Sequence, residues 1–177
     1  MKKQLAAVLL LISLGLAACT GTTPPADTDV PDSTAPADST APDETAAEGY
    51  TLSVGDAVLT PGAAVDVTSL LGEPLDRQTA PSCVHEGDDI VYTYDGLEIA
   101  TSPSPAGQYI TSITLTSDVY ETAEGIYIGS SADEMIAAYG ETEARFGRYE
   151  YKKGNSTLTF MTDDAGTVTA ITYAYIG

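Results

Sequence analysis

The sequence predicts an α+β domain built from two tandem repeats, each a short helix followed by a three-stranded antiparallel meander, with both helices on one face of the sheet. Three short patterns recur in the same order, each displaced by about 58 to 68 positions. They are LLGE at 70–73 and AYGE at 138–141, YTYDG at 92–96 and YEYKKG at 149–154, and AG with ITSIT at 106–114 and AG with VTAIT at 165–172. The recurrence indicates one repeat over about 52–118 and a second over about 119–177.

The amino terminus has the pattern of an export signal over residues 1–18. Lys2 and Lys3 precede an apolar run over 5–16, and about twelve helical residues at about 1.5 Å each are too short to cross a core of about 30 Å. The residues LAAC at 16–19 resemble the lipobox of bacterial lipoprotein signals. That resemblance implies a diacylglyceryl group on Cys19 and anchoring of the chain to the outer, extracytoplasmic face of the cell membrane. An ordinary secretory signal would instead leave Cys19 as a plain thiol.

Residues 19–48 then predict a disordered tether that follows the lipidated cysteine. From Thr20 to Glu48 the chain is rich in Pro, Thr and Asp, carries seven acidic and no basic residues, and has Val30 as its one large apolar residue. Such a segment cannot bury enough apolar surface to offset the entropy of ordering its backbone. As polyproline II it would reach roughly 90 Å, and as a flexible coil about 30 Å.

Caps and hairpin signals place the elements of residues 49–177. In the second repeat Ser131 and Glu134 form a capping-box pattern and Gly140 suits the position after a helix. In the first repeat Pro61 and Gly72 bracket a weaker helix. Alternation and turn residues predict strands at 89–94, 97–102, 109–116, 148–153, 156–162 and 167–175.

Strand alternation assigns two faces to the sheet. Tyr92, Tyr94, Tyr149 and Tyr151 fall on the side predicted to face the helices, and Lys152 alternates with the last two. The repeat arrangement resembles that of β-lactamase inhibitory protein, whose outer sheet face binds a partner protein. That resemblance makes the other face our candidate binding face for a protein, and a merely solvated face is the alternative. Its candidate residues are Thr93, Thr114, Lys152, Thr157, Thr159 and Thr172.

The repeat arrangement resembles the tandem-repeat fold of β-lactamase inhibitory protein, and a single unit resembles the outer-membrane assembly lipoproteins of the SmpA/OmlA type. Over about 80–177, the runs CVHEG at 83–87 and EGIYIG at 124–129 are similar to a group of uncharacterised lipoproteins of Gram-positive gut bacteria. These resemblances imply a fold and a location. They transfer no binding residue, because no motif at the inhibitor's binding positions matches.

Composition excludes one class of partner. The formal net charge is −19, and removal of the signal takes away two lysines and no acid, leaving five basic and 26 acidic residues and a charge of −21. Nucleic-acid binding needs clustered Lys and Arg, so no nucleic acid is expected as a partner.

Two patterns could carry chemistry. Cys83 and His85 are two positions apart and would share one side of an extended segment, so a small hydrolase or redox protein stays open. The acidic turns EGDD at 86–89 and DDAG at 163–166 offer oxygen ligands for Ca²⁺ without EF-hand spacing. We expect no catalytic residue, metal or cofactor, because no partner for His85 and no complete ligand pattern is visible.

The leading hypothesis is therefore a non-enzymatic, lipid-anchored extracytoplasmic binding or adaptor module. It would be held at the membrane through Cys19 and would meet an envelope or secreted protein. The alternatives are the Cys83 and His85 enzyme and a structural lipoprotein of envelope assembly.

Overall fold

Two β-sheets and two short helices make up residues 49–177, the part of the chain that the computed structural model describes. The predicted signal peptide, Cys19 and the predicted tether lie outside these residues. The elements in chain order are β1 Leu52–Val54, β2 Ala57–Leu59, α1 Val67–Leu71, β3 Asp76–Pro81, β4 Asp88–Tyr94, β5 Leu97–Ser104, β6 Gly107–Leu115, α2 Ala132–Tyr139, β7 Arg148–Lys153, β8 Ser156–Thr162 and β9 Val168–Tyr175.

All strand pairs are antiparallel. Strands β1 and β2 form a two-stranded sheet around a tight turn in which Gly55 has φ +59°. The other seven strands form one sheet in the order β3-β4-β5-β6-β9-β8-β7. The meander β3–β6 and the meander β7–β9 meet where β6 pairs with β9.

The predicted fold class is wrong. The structure is mainly β, and its helices contain only five and eight residues. The first half of the domain is not a helix plus three strands, because it adds a fourth strand, β3, and the separate β1–β2 sheet. Every residue of β3 is exposed, so this strand has no buried alternation from which the sequence could reveal it.

Local chemistry explains the unequal helices. Helix α2 begins with a complete capping box: the Glu134 backbone N–H donates to Ser131 Oγ, and the Ser131 backbone N–H donates to Glu134 Oε2 at 2.8 Å. Helix α1 starts at Asp66, whose carboxylate accepts the Ser69 N–H, but it contains one β-branched valine, Val67, among its five residues and ends at Gly72. The capping box predicted for α2 is confirmed, whereas the first helix is shorter than predicted.

The core lies on the face of the large sheet that receives the helices and the β1–β2 hairpin. Val67 of α1, Met135 of α2 and Leu52 of β1 belong to the same buried cluster as the inward side chains of the sheet. Tyr92 and Tyr151 are buried there, which confirms their predicted side, while Tyr94 and Tyr149 pack at its margin. The buried side chains of the sheet include Ile90, Leu97, Ile99, Ile113, Leu115, Leu158, Phe160, Ile171 and Tyr173.

Two buried tyrosines of this core differ in how their hydroxyls are satisfied. Tyr151 donates to the Gly140 carbonyl at 2.9 Å, whereas the Tyr173 hydroxyl has no hydrogen-bond partner among residues 49–177. An unpaired buried hydroxyl costs about 1–3 kcal/mol, and a typical paired one contributes about 1 kcal/mol. We expect Tyr173→Phe to raise the free energy of unfolding by about 1 kcal/mol and Tyr151→Phe to lower it by a similar amount, as measured by urea denaturation. Equal effects of the two substitutions would contradict this assignment.

The fold should also weaken in alkali. Burial raises the pKa of Tyr173, with the Glu124 charge adding to the effect, and burial followed by the hydrogen bond to Glu124 raises the pKa of Tyr139. Both groups titrate higher in the folded chain than in the unfolded chain, where the tyrosine pKa is about 10. Stability is therefore fully present below about pH 10 and is lost as the pH rises above it. Urea midpoints measured from pH 8 to 11 should fall, and they should fall less in Tyr173→Phe.

Candidate functional site

The side of the large sheet opposite the core, here called the outer face, carries two unbroken rows of paired residues across all seven strands. The first row runs through Asp76, Thr93, Glu98, Thr114, Thr172, Thr159 and Glu150. The second row runs through Gln78, Val91, Ala100, Ser112, Ala174, Thr157 and Lys152. Neighbouring strands lie about 4.8 Å apart, so each row is about 29 Å long.

The six residues predicted for a binding face all lie in these rows. Thr93, Thr114, Thr159 and Thr172 belong to the first row and are half-buried, so their hydroxyls border the solvent. The Thr114 and Thr172 hydroxyls lie 3.4 Å apart, across the junction of the two meanders. The register therefore brings together four hydroxyls from strands that are distant in the sequence.

The other two predicted residues differ in access. Lys152 is exposed, and its Nζ lies 3.5 Å from Glu150 Oε1. Thr157 is only 6% exposed, so its side chain offers little contact surface. The accessible part of the candidate face therefore consists of the first row and Lys152, and Thr157 is buried.

A second feature, which we call the Phe146 tip, is the two-residue turn between Arg145 and Arg148 that leads into β7. The backbone N–H of each arginine donates to the carbonyl of the other at 3.0 Å. Phe146 and Gly147 between them have φ values of +54° and +74°, which is the backbone of a type I′ hairpin turn. Such turns favour Asn, Asp or Gly, so phenylalanine is a strained choice at this position.

The Phe146 side chain is fully exposed, at 104% of its reference area. Gly147 beside it cannot be enlarged, because a Cβ there would lie 2.7 Å from the Thr162 carbonyl oxygen. This tip was not predicted from the sequence, because the turns were located from the pairs Asp-Gly and Ala-Gly, and Phe-Gly was not recognised as a turn. A positive φ for Phe and its full exposure emerge only from the fold.

Basic side chains are concentrated in the turn and along β7, and two of them, Arg145 and Arg148, flank Phe146. Residues 145–153 contain four of the five basic residues of the described chain: Arg145, Arg148, Lys152 and Lys153. Arg145 contacts Glu143 at 3.0 Å, where both side chains are exposed, and Arg148 contacts the half-buried Glu150 at 2.6 Å. Ion pairs near the surface contribute little to stability, so these basic side chains are not explained by a need to stabilise the fold.

Cys83 and His85 are both exposed in the loop between β3 and β4. No hydrogen bond joins their side chains in the described part of the chain. His85 instead lines a cleft of about 370 Å³ beside Tyr109 and Tyr175, whose rings meet edge to face at 5.9 Å. Cys83 is not among the residues that line this cleft.

Another cleft, of about 580 Å³, opens between α1 and the inner side of β3 and β4. The Arg77 guanidinium lies 5.7 Å from the centre of the Tyr92 ring at its wall, and Gln108 lines the opposite end. Sequence reasoning missed this cleft because β3, which carries Arg77, was itself missed. The cation-π contact with Tyr92 already accounts for the position of Arg77.

The two acidic turns have structural explanations. Asp163 Oδ1 accepts the backbone N–H groups of Ala165 and Thr167, which closes the turn between β8 and β9. Asp89 accepts a hydrogen bond from Ser102 at 2.7 Å. Within residues 49–177 no three His, Cys, Asp or Glu side chains are arranged to hold a metal ion. In the same range no helix has the length and apolar character needed to cross a bilayer.

The cost of the left-handed backbone at Phe146 can be tested by substitution. A left-handed backbone costs an ordinary residue about 1–2 kcal/mol, and Asn tolerates it better. We expect Phe146→Asn to raise the free energy of unfolding by about 1 kcal/mol, measured by urea denaturation. Phe160→Leu, in the core at 0% exposure, serves as the opposite control and should lower it. A destabilised Phe146→Asn protein would show that the ring packs in solution and is not free.

Comparison with known proteins adds no further constraint on these surfaces. The chain matches no model of a known protein family, no curated protein and no solved structure. The functional proposals for this chain therefore rest on the geometry of the outer face and of the Phe146 tip.

Proposed function

We propose that this chain is a non-enzymatic, lipid-anchored binding module of the extracytoplasmic side of the membrane, and that it holds a protein partner on its outer face. The observation that carries the proposal is the unbroken first row, with four half-buried threonine hydroxyls between carboxylates. The anchor is Cys19, supported by the lipobox resemblance of LAAC at 16–19. A diacylglyceryl group supplies two acyl chains, which is enough for stable anchoring.

The shape of the outer face suits a protein better than a small molecule. Two rows about 29 Å long, with about 7 Å between side chains on one face of a strand, give a shallow area of roughly 400 Å² before the rim is counted. A standard interface covers about 800 Å² on each partner, so the rows supply about half of one. Small ligands prefer enclosed clefts, which these rows do not form.

The side chains of the first row indicate the charge and polarity of the surface that they could bind. Threonine hydroxyls both donate and accept hydrogen bonds, so the row can meet backbone groups or polar side chains without leaving a partner unpaired. Asp76 and Glu98 add two carboxylates to the β3 side of the first row. In a chain of net charge −19 these groups favour a neutral or basic protein surface and repel an acidic one.

A photo-crosslinking experiment in intact cells tests this proposal. A benzophenone amino acid at Thr159, in the middle of the first row, should crosslink to a discrete envelope or secreted protein. Adding Thr172→Arg should reduce the crosslinked product at least tenfold, because a long cation would stand in the centre of the contact. Ser53→Arg is the matched control, since Ser53 is exposed on the small sheet, which packs against the other side of the domain.

Two results would contradict the proposed binding face. One is a crosslinking pattern at Thr159 no more specific than that at Ser53. Another is an equal loss of product with Thr172→Arg and with Ser53→Arg. The anchor is tested separately by Cys19→Ala, which should move the chain out of the membrane fraction without changing its urea midpoint.

A further inference from the structure

The Phe146 tip combines two features that are unfavourable for a free protein in water. A phenylalanine occupies a left-handed backbone position, and its ring is fully exposed. Strained backbone persists where the surrounding structure imposes it, and it is concentrated at functional positions. Here the hairpin register and the close approach of Gly147 to Thr162 impose the turn, but neither requires an aromatic side chain at its tip.

Charge is distributed unevenly around this tip. Residues 141–153 carry four basic and three acidic side chains, whereas the remainder of 49–177 carries one basic and 16 acidic side chains. An anionic surface therefore repels residues 141–153 less than the remainder of the domain. This uneven distribution of charge favours orientations in which the tip, rather than the acidic remainder, faces such a surface.

We propose that the Phe146 tip is a membrane contact: the ring enters the interface of an anionic bilayer while Arg145 and Arg148 lie among the lipid headgroups. The inference rests on the proposed lipid anchor, because one aromatic ring is too weak to hold a protein from solution. A tether in the same membrane raises the local concentration to the order of millimolar, which makes such a weak contact effective. Aromatic side chains beside basic ones are typical of interfacial membrane contacts.

A lipid surface fits the tip better than a protein pocket does. A protein interface of standard size needs about 800 Å² of complementary surface around its central residue. The residues that flank Phe146 in the turn are Arg145, Gly147 and Arg148, and the exposed Met161 pairs with Arg148 beside them. One projecting ring next to one partly exposed methionine is a small apolar surface, which can enter a soft interface because such an interface needs no matching shape.

The chain contains no tryptophan, so Phe146→Trp creates a protein with a single fluorescent reporter at the tip. The full-length lipidated protein is reconstituted into vesicles of phosphatidylcholine with phosphatidylglycerol. We expect the Trp emission to shift to shorter wavelength and to be quenched by brominated acyl chains. High salt or neutral phosphatidylcholine vesicles should reduce both effects, since screening weakens attraction between exposed charges.

Leu75→Trp is the matched control. Leu75 is 76% exposed and precedes β3, at the opposite edge of the seven-stranded sheet. The same tether holds both reporters, so the Leu75→Trp emission should remain that of a tryptophan in water. Matching urea midpoints for the two variants and the parent chain establish that each is folded.

The outcomes separate this inference from the proposed anchor. If the chain floats with vesicles in a Cys19-dependent manner but Phe146→Trp emits as in water, the anchor stands and the membrane contact is wrong. If Cys19→Ala floats as well as the parent, the proposed anchor is wrong. A shift of the Phe146→Trp emission that appears only when envelope proteins are added would identify the tip as a protein contact and overturn the lipid assignment.

Discussion

The pairing of β6 with β9 joins the two meanders of the large sheet. Only four residue pairs, from Ser112 with Ala174 to Leu115 with Ile171, join the four-stranded and the three-stranded meander. Within this short ladder Ile113 opposes Tyr173 in the core, and Thr114 opposes Thr172 on the outer face. A slip of one residue would exchange the two faces, exposing the core pair and burying two hydroxyls, so the register is strongly specified.

Most of the large sheet could be predicted from the sequence because its strands are half-buried. Alternation and the Asp95-Gly96 turn located β4 to β9 to within a few residues, and the Ser131 and Glu134 pattern located α2. Strand β3 could not be found in this way, since it has no buried side and is held by its backbone pairing with β4. The prediction of the fold class was wrong for the same reason, because the recurring patterns mark turns and strand starts and do not give the number of strands.

The candidate functional site was also only partly predictable from the sequence. Alternation placed the threonines on one face, but it could not indicate that Thr157 would be only 6% exposed, because alternation assigns a side chain to a face and not its exposure. The Phe146 tip was beyond sequence reasoning because its turn has Phe at a position where Asn, Asp or Gly usually marks a type I′ turn. A local conflict between a residue and its backbone becomes visible only once the backbone is known, and such conflicts are expected at functional positions.

The distance along β7 determines whether the two proposed contacts are compatible. From Phe146 to Glu150 and Lys152, where β7 enters the two outer rows, there are four and six residues. At about 3.4 Å per residue these positions lie roughly 14–20 Å from the tip. An interfacial contact penetrates about 5–10 Å, so with β7 along the bilayer normal the first row would border the headgroups at Glu150, which contacts Arg148, and the second row would lie farther out. In that orientation a partner on the outer face and the Phe146 tip occupy different heights, and the length of β7 sets the spacing between them.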